Sequence, residues 1–482
     1  MEYKKITLFC LLMIGIFTST SCKDEGTGWT PDMIPDDEVE VPDYDEEVDI
    51  SNIHKFKAPL YWSVYEFCME MADNGIPEYQ MDMNAEEWDK AIDWVAENLK
   101  PYGYDMLCTD GFIPMLCEKN EYGYMDKYGS MYLKDLVAKC KAKGLKLGVY
   151  DNPLWLHGKD ETPIQNTNNI TLGQLKYDAE SDVVAHPDEP DKFFTYVVAT
   201  HKGAKEYIRM DFLSWYEDGF DRGMEASWGN GLVGRGYGRE CYEKALEYIC
   251  ISATRYGIFT SLVMPHLKNN AELERKYGNM VRIVADTGQG GWNHFSDDSR
   301  GKVYEGWPNS MNMFDGFIYW SKVTGRNQVI PDGDFIRLNT FNTDAEKESV
   351  ISLQLIAGGP VTVADRHNTV GDNLKFYQNE EMLALNADRF VGKPLSGDVT
   401  DTEKNQIWYG QMSNGDYIVG LFNRDNEQKT YELHLSEIGI EGEVSVRDLW
   451  KHKDEGKASK LSVELGPRAC KVLKPVSYTH LR

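Results

Sequence analysis

The chain has 482 residues, of which 41% are hydrophobic and 12% aromatic, enough for a large core and for more than one compact domain. Its formal net charge is −27, and its basic residues form no cluster. An acidic surface of this kind argues against a nucleic-acid-binding protein. Once Cys10 and Cys22 are set aside, an odd number of cysteines remains, in a spacing that matches neither a zinc nor a haem site. We assign no disulfide.

The N-terminus has the features of a secretory signal. Lys4 and Lys5 precede an apolar run at residues 6–17, which is too short to span a bilayer. Small residues then lead into Cys22, an arrangement that resembles the lipidation box of bacterial lipoproteins, and residues 23–25 resemble the surface-export signal of Bacteroidetes lipoproteins. We expect a secreted protein that is anchored to the outer membrane by lipid on Cys22 and exposed at the cell surface. An ordinary signal peptide with an incidental cysteine is the alternative.

Composition divides the chain into four parts. Residues 1–21 are the expected lipoprotein signal peptide, and residues 22–56 form a tether rich in Asp, Glu and Pro, which cannot bury enough apolar surface to fold. Residues 57–397 are predicted to be a catalytic (β/α)8 barrel, and residues 398–476 a C-terminal antiparallel β-domain.

Short apolar runs alternate with amphipathic helical stretches through residues 57–397, which is typical of βα units around a parallel sheet. Strands are predicted, in chain order, at 59–64, 104–109, 145–150, 206–212, 259–264, 280–285 and 360–364. Helices are predicted at 85–99, 130–143, 239–256, 271–277, 344–357 and 379–385. A weaker unit is expected between residues 301 and 338, around 314–320. Eight units favour an α/β fold of the TIM-barrel type, with a doubly wound sheet as the alternative.

The pattern changes after residue 397, where short strands are separated by polar turns. These strands are predicted at 407–411, 417–423, 429–434, 443–448 and 471–474. Short alternating strands joined by turns indicate an antiparallel β-sandwich.

Several parallel strands end in an acidic residue, namely Asp110, Asp151, Asp211, Asp286 and Asp365. In a (β/α)8 barrel the active site is built at this end of the strands. Strand alternation places Arg209 on the face of Asp211, and Arg282 on the face of Asp286. Paired carboxylates with basic partners are costly to bury, and hydrolysis of a glycosidic bond requires such a pair. The alternative is that these residues only cap helices.

Seven segments, in this order, resemble glycoside hydrolase family 27, the α-galactosidase and α-N-acetylgalactosaminidase group. They are Tyr61-Trp62, Asp110-Gly111-Phe112, residues 144–150, Tyr207-Ile208-Arg209-Met210-Asp211, Arg282-Ile283-Val284-Ala285-Asp286, residues 353–360 with Asp365, and Asn386-Ala387-Asp388. The resemblance begins near Tyr61, extends into the C-terminal β-domain and so covers most of the chain. It implies that Asp211 is the nucleophile and Asp286 the general acid/base.

Four positions depart from the family pattern, and one of them is Leu213, which replaces a cysteine that forms a disulfide near the nucleophile in the family. Thr109 precedes Asp110 where the family has two aspartates that hold the galactose hydroxyls at carbons 4 and 6. Tyr65 stands where a tryptophan forms the sugar platform, and Arg209 replaces a sugar-binding lysine. The resemblance therefore implies a retained mechanism with an altered substrate.

We expect a retaining exo-glycosidase that acts on terminal α-galactoside-type bonds of oligo- or polysaccharides, that is, an α-galactosidase. The expected sugar-binding residues are Tyr65, Asp110, Tyr150, Arg209, Arg282, Trp292 and Asp334. No metal or organic cofactor is implied. A β-L-arabinopyranosidase or a related activity of the family is one alternative, since that sugar is galactose without its sixth carbon. A non-catalytic glycan-binding surface lipoprotein is another.

Overall fold

The structure is a computed structural model that describes residues 47–76, 82–109, 127–151, 153–156, 159–176, 195–208, 225–227, 238–286 and 290–476. The predicted signal peptide, Cys22 and the tether up to residue 46 lie outside these ranges. So do three predicted site residues, Asp110, Arg209 and Asp211.

Eight parallel strands of the described chain form a closed barrel. They are β1 (Leu60–Ser63), β2 (Met106–Cys108), β3 (Lys146–Gly148, continued by Tyr150–Asp151), β4 (Glu225–Ser227), β5 (Ser261–Val263), β6 (Met280–Arg282), β7 (Ile330–Asp332) and β8 (Val361–Val363). The order of hydrogen-bonded neighbours is β8-β1-β2-β3 and then β3-β4-β5-β6-β7. A parallel bridge between Ile336 and Val363 joins the segment after β7 to β8 and closes the ring.

Helices follow most of these strands and cover the barrel. They are α1 (Tyr65–Asp73), α2 (Ala85–Asn98), α3 (Leu133–Ala142), α4 (Gly238–Arg255), α5 (Glu272–Tyr277), α6 (Met313–Trp320), α7 (Asp344–Ala357), α8 (Leu374–Tyr377) and α9 (Glu380–Ala387). The sequence marks their ends clearly. The Asn84 side chain accepts hydrogen bonds from the first turn of α2, and Thr343 and Glu346 form a capping box at the start of α7. Gly358 ends α7 in the left-handed region at φ 77°.

Six of the seven clearly predicted barrel strands are confirmed, and two of the expected elements are wrong. Residues 204–208 are helical, so the described part of the predicted strand 206–212 is not extended, and β4 lies between β3 and β5 instead. The run at 314–320 belongs to α6, and the strand of that unit is β7. Because α6 is buried on nearly every side, its apolar run has no helical period that would separate it from a strand.

The C-terminal part is an antiparallel β-sandwich. Its strands are β9 (Lys393–Pro394), β10 (Ile407–Gln411), β11 (Tyr417–Phe422), β12 (Lys429–His434), β13 (Val444–Asp448), β14 (Lys453–Ala458), β15 (Lys460–Leu465) and β16 (Cys470–Val476). A sheet of order β9-β10-β11-β16-β13-β14 packs on the β12-β15 pair around a separate apolar core. The predicted strands here are confirmed, but β9, β14 and β15 were not predicted. β14 is a charged, exposed edge strand, which carries no hydrophobic alternation.

The sandwich packs directly against the barrel. Phe314 of α6 meets Phe422 of β11 edge to face, with ring centroids 5.4 Å apart. Gly420 leaves room for Ile356 of α7, because a Cβ at this glycine would lie 2.4 Å from the Cδ1 atom of Ile356. A larger residue at this position would have to displace the end of the Ile356 side chain.

Candidate active site

A cluster of charged residues lies at the C-terminal ends of β6 and β7. Arg282 ends β6, and its Nη2 atom lies 3.1 Å from the Oδ1 atom of Asp286. The same nitrogen donates a hydrogen bond to Asp334, two residues beyond the end of β7. Arg282 is 3% exposed, whereas the side chain of Asp286 is 44% exposed. The prediction that Arg282 and Asp286 share a face is confirmed, and one carboxylate of the cluster remains open to ligands.

A tight turn after β7 fixes Asp334. The backbone of Asp334 is left-handed at φ 78°, a conformation that Asp and Asn tolerate better than most residues. Its N–H donates a 2.8 Å hydrogen bond to Oδ1 of Asp332, and its carbonyl accepts one of 3.2 Å from Gln354. The buried Asp332 side chain thus holds the turn that directs Asp334 towards Arg282.

Among the residues that the structure describes, the cluster contains three carboxylates and one guanidinium, and burial is the main influence on the protonation of its carboxyl groups. Burial raises the pKa of Asp286, Arg282 opposes the rise, and Asp334 adds to it. Although part of the Asp286 side chain is exposed, neighbouring protein atoms withdraw its carboxyl group from water. Burial also raises the pKa of Asp332, to about 6, against the attraction of Arg282. A carboxyl group that stays protonated closer to neutral pH is suited to act as a general acid.

Thr109 directly follows β2 and is hydrogen-bonded to β3. Its side chain is 1% exposed, and its Oγ1 atom accepts a 2.9 Å hydrogen bond from the backbone N–H of Tyr150. Tyr150 itself is half-buried at the same end of the barrel. The Thr109 hydroxyl therefore binds the main chain and supplies no negative charge to the pocket.

Aromatic side chains at the barrel mouth differ partly from those expected. Tyr65, the predicted platform, is buried and stacks on Phe335 with ring centroids 4.4 Å apart. Phe335 is half-buried and directly follows Asp334, so it is a candidate sugar contact that sequence reasoning missed. The sequence signal that could have identified Phe335 is its position next to Asp334, which was predicted to bind the sugar.

Two tryptophans near the site differ from the sequence expectation. Trp292 is 5% exposed, packs edge to face on Phe295, and has the guanidinium of Arg468 5.4 Å from its ring centroid. Because Arg468 precedes β16, Trp292 packs the sandwich onto the barrel, which corrects its expected role as a stacking surface. Trp307 is half-buried, with its ring centroid 5.8 Å from Cζ of Arg282, and was not predicted.

Asp365, at the end of β8, has a structural role. Its carboxylate accepts hydrogen bonds from the backbone N–H groups of Leu338 and Asn339, at 2.8 and 3.0 Å, and from the hydroxyl of Tyr377. Burial raises its pKa to about 6, and these donors oppose the rise. For this residue the capping alternative is the better interpretation.

Within the described ranges, no group of three or more His, Cys, Asp or Glu side chains is placed to hold a metal ion. Among the helices that the structure describes, none has the length and apolar character of a membrane span.

Comparison with known proteins identifies the group to which this site belongs. The family described as alpha galactosidase C-terminal beta sandwich domain matches residues 402–474. The isomalto-dextranase of Arthrobacter globiformis is 35% identical over 451 residues, which are 86% of this chain and 67% of that protein. An α-galactosidase of Oryza sativa subsp. japonica is 28% identical over 225 residues, 45% of this chain and 49% of that protein.

Solved structures agree with these relationships. The structure of the Arthrobacter globiformis T6 isomalto-dextranase complexed with panose has a TM-score of 0.78 and 30% identity, over 88% of this chain and 73% of that one. A family-27 β-L-arabinopyranosidase from Geobacillus stearothermophilus, in complex with arabinose, has a TM-score of 0.70 over 90% of this chain and all of that one. At 20% identity the second likeness concerns the fold alone.

A TIM barrel with a C-terminal β-sandwich and this sequence similarity defines the protein as a glycoside hydrolase. The chain belongs to glycoside hydrolase family 27.

Proposed function

We propose that the protein is a retaining exo-glycosidase that cleaves dextran-type α-1,6-glucans and releases isomaltose. The similarity to an isomalto-dextranase extends over 86% of the chain at 35% identity, whereas that to the rice α-galactosidase extends over 45% at 28%. This proposal replaces the α-galactoside expected from sequence with an α-glucoside and keeps the expected mechanism.

The environment of Thr109 is the observation that carries the choice of sugar. Galactose and glucose differ only in the orientation of the hydroxyl at carbon 4, and the family's α-galactosidase pattern places an aspartate pair on the hydroxyls at carbons 4 and 6. Thr109 replaces one of these carboxylates and is bound to the main chain at Tyr150. A hydrogen bond to a charged acceptor contributes roughly 1.5–3 kcal/mol. Its loss should weaken galactoside hydrolysis by about one to two powers of ten.

The proposed mechanism is a double displacement. Asp211 attacks the anomeric carbon while Asp286 gives its proton to the departing glycosidic oxygen. Asp286, now ionised, then takes a proton from the water that displaces Asp211, which restores both carboxyl groups. The raised pKa of Asp286 and its fixed contacts with Arg282 support this assignment.

Product analysis tests the substrate directly. Dextran, aryl α-galactoside and aryl β-L-arabinopyranoside are each incubated with the protein and with its Asp286→Asn variant. We expect isomaltose from dextran, with the α-configuration first seen by NMR, and weak release from the other two. Release of galactose at a higher rate than isomaltose would instead establish the α-galactosidase, the second candidate, which the match of residues 402–474 supports. Dextran binding without any hydrolysis would favour the non-catalytic glycan-binding protein.

A mechanism-based label tests the nucleophile. A fluorinated α-glucosyl or isomaltosyl inhibitor should form a stable ester with the enzyme, and peptide mass spectrometry should find it on Asp211. A label on any other residue would refute this assignment.

Surface anchoring through Cys22 is a separate proposal, supported by the sequence pattern of residues 6–25. In a Gram-negative host the full chain should partition with outer membranes and incorporate labelled fatty acid. Cys22→Ala should abolish both, while an unchanged distribution would favour an ordinary signal peptide.

A further inference from the structure

The loop between β6 and α6 exposes large apolar side chains beside Asp286. Within the described residues, the exposed large hydrophobic side chains are Phe56, Tyr132, Tyr304 and Met311. Two of these four lie on this one loop, and the half-buried Trp307 lies between them in sequence. An exposed apolar patch at the rim of an active site is commonly a binding surface.

The loop has a fixed conformation. The N–H of Tyr304 donates a 2.7 Å hydrogen bond to the carbonyl of Asn309, whose buried side-chain amide in turn donates to the carbonyl of Tyr304. Glu305 forms a 3.3 Å ion pair with Lys268, on the segment that follows β5. A Cβ at Gly306 would lie 3.5 Å from the carbonyl oxygen of His266, on that same segment. The exposed rings are therefore held in place against a neighbouring barrel loop.

The loop is also joined to the segment that carries the general acid. Val284 and Ser310 form a parallel bridge, and the N–H of Ala285 donates a 2.9 Å hydrogen bond to the carbonyl of Ser310. Asp286 is the next residue. Trp307 lies over Arg282, which itself binds Asp286. The position of the loop is thus fixed relative to the carboxyl group that protonates the glycosidic oxygen.

The chemistry of the reaction indicates which part of the substrate this surface contacts. The general acid must contact the oxygen that joins the cleaved sugar to the leaving sugar, so its immediate surroundings border the leaving group. In an exo-acting enzyme the remainder of the polymer always leaves on this side. Pyranose rings present apolar C–H faces that pack on aromatic rings, and such packing tolerates many linkages.

We propose that Tyr304, Trp307 and Met311 form a leaving-group surface that binds the glucose units of the polymer beyond the cleavage point. Trp307, next to Arg282, contacts the first of these units, and Tyr304, further out, contacts a later one. The proposal rests on the α-glucan activity proposed above and explains how the enzyme would prefer a long chain to a short one.

The test is a chain-length series with Tyr304→Ala, since this side chain is 45% exposed and its loss leaves the barrel packing intact. Catalytic efficiency is measured on nitrophenyl α-isomaltoside, on isomalto-oligosaccharides of increasing length, and on dextran. Loss of a ring contact of moderate area should lower efficiency on dextran by about tenfold more than on the aryl glycoside. Trp307→Ala should already lower efficiency on the shortest oligosaccharides, whereas Trp307→Phe, which keeps a ring, should recover most of it.

The matched control is Phe56→Ala. Phe56 is 43% exposed and precedes β1, at the opposite end of the barrel from Asp286. It should leave the ratio of dextran to aryl-glycoside efficiency unchanged. If the unmodified protein cleaves α-1,6-glucans but Tyr304→Ala changes all substrates equally, the leaving-group surface is refuted and the proposed function stands. If the unmodified protein cleaves no α-1,6-glucan, both proposals fail.

Discussion

Arg424 and Arg282 are both buried and both contact aspartates, but the two sites differ in charge balance and in exposure. This difference distinguishes a structural ion pair from a candidate active site. Arg424, just after β11, forms a 2.6 Å ion pair with Asp315 of α6, and both side chains are almost completely buried. Arg424 also donates to the side chain and carbonyl of Ser296, and Asp315 accepts from Gly301 and Asn312. One positive charge faces one negative charge, and both are surrounded by hydrogen-bond partners.

Within the described part of the chain, Arg282 faces three carboxylates instead, and the Asp286 side chain of this cluster is 44% exposed. A balanced pair with every group satisfied favours a single protonation state and joins the sandwich to the barrel. At the Arg282 cluster, burial raises the carboxyl pKa values and the neighbouring carboxylates add to the rise, which favours a protonated carboxyl group. Charge balance and exposure therefore distinguish the candidate active site from the Arg424–Asp315 pair, which we call the domain clamp.

The largest expected effect is that of Asp286→Ala. General acid catalysis typically contributes 10²–10⁴-fold, so unactivated glucans should lose activity by roughly this factor. Activated aryl glycosides should lose much less, because their leaving group needs no proton, and azide should partly restore turnover by replacing water. Steady-state kinetics on both substrate classes measure this. Equal losses without azide rescue would show that the open cluster does not supply the acid.

A change in the domain clamp should instead lower the stability of the protein. Arg424→Met leaves Asp315 buried without its partner, which should lower the free energy of unfolding by about 3–5 kcal/mol. Activity per folded molecule should stay near normal at low temperature. Thermal unfolding followed by near-UV circular dichroism gives the measurement. Arg300→Met is the control, because the Arg300–Asp425 pair of 2.8 Å is partly exposed and should contribute at most about 1 kcal/mol.

Asp332→Asn should increase stability at neutral pH. Because the folded-state pKa of Asp332 is raised to about 6, its ionisation opposes folding as the pH rises from about 4 to about 6. The amide oxygen of Asn can still accept the hydrogen bond from the N–H of Asp334. The variant should therefore be more stable than the unmodified protein at pH 7, by about 1–3 kcal/mol, and gain little at pH 4. A variant that is less stable at pH 7 would show that the charge of Asp332 is needed to balance Arg282.

Asp334→Asn should have the smallest effect of these changes. We expect it to alter the pH dependence of activity. Asp334 raises the pKa of Asp286, so its neutralisation should lower that pKa. In the proposed mechanism, activity requires protonated Asp286 and falls as the pH rises through its pKa, so the alkaline limb of kcat/KM should move to lower pH. Asn tolerates the left-handed backbone at this position, which keeps the turn. Asp365→Asn is the control, because the Asp365 carboxylate binds backbone N–H groups and does not contact Asp286. It should leave the alkaline limb of kcat/KM unchanged. An equal shift in both variants would contradict a specific role for Asp334.

The sequence alone determined the barrel, the sandwich and the pairing of Arg282 with Asp286, because hydrophobic period and strand alternation are local properties of the chain. It left β7 hidden, since α6 is buried on nearly every side and its apolar run imitates a strand. Only the tertiary structure showed which acidic strand ends are occupied by backbone donors and which remain exposed. Asp365 and Asp286 look alike in sequence, but backbone N–H groups from the segment after β7 bind Asp365, whereas the side chain of Asp286 is 44% exposed. Trp292 and Trp307 were separated in the same way, because Arg468, which lies over the ring of Trp292, is distant from it along the chain.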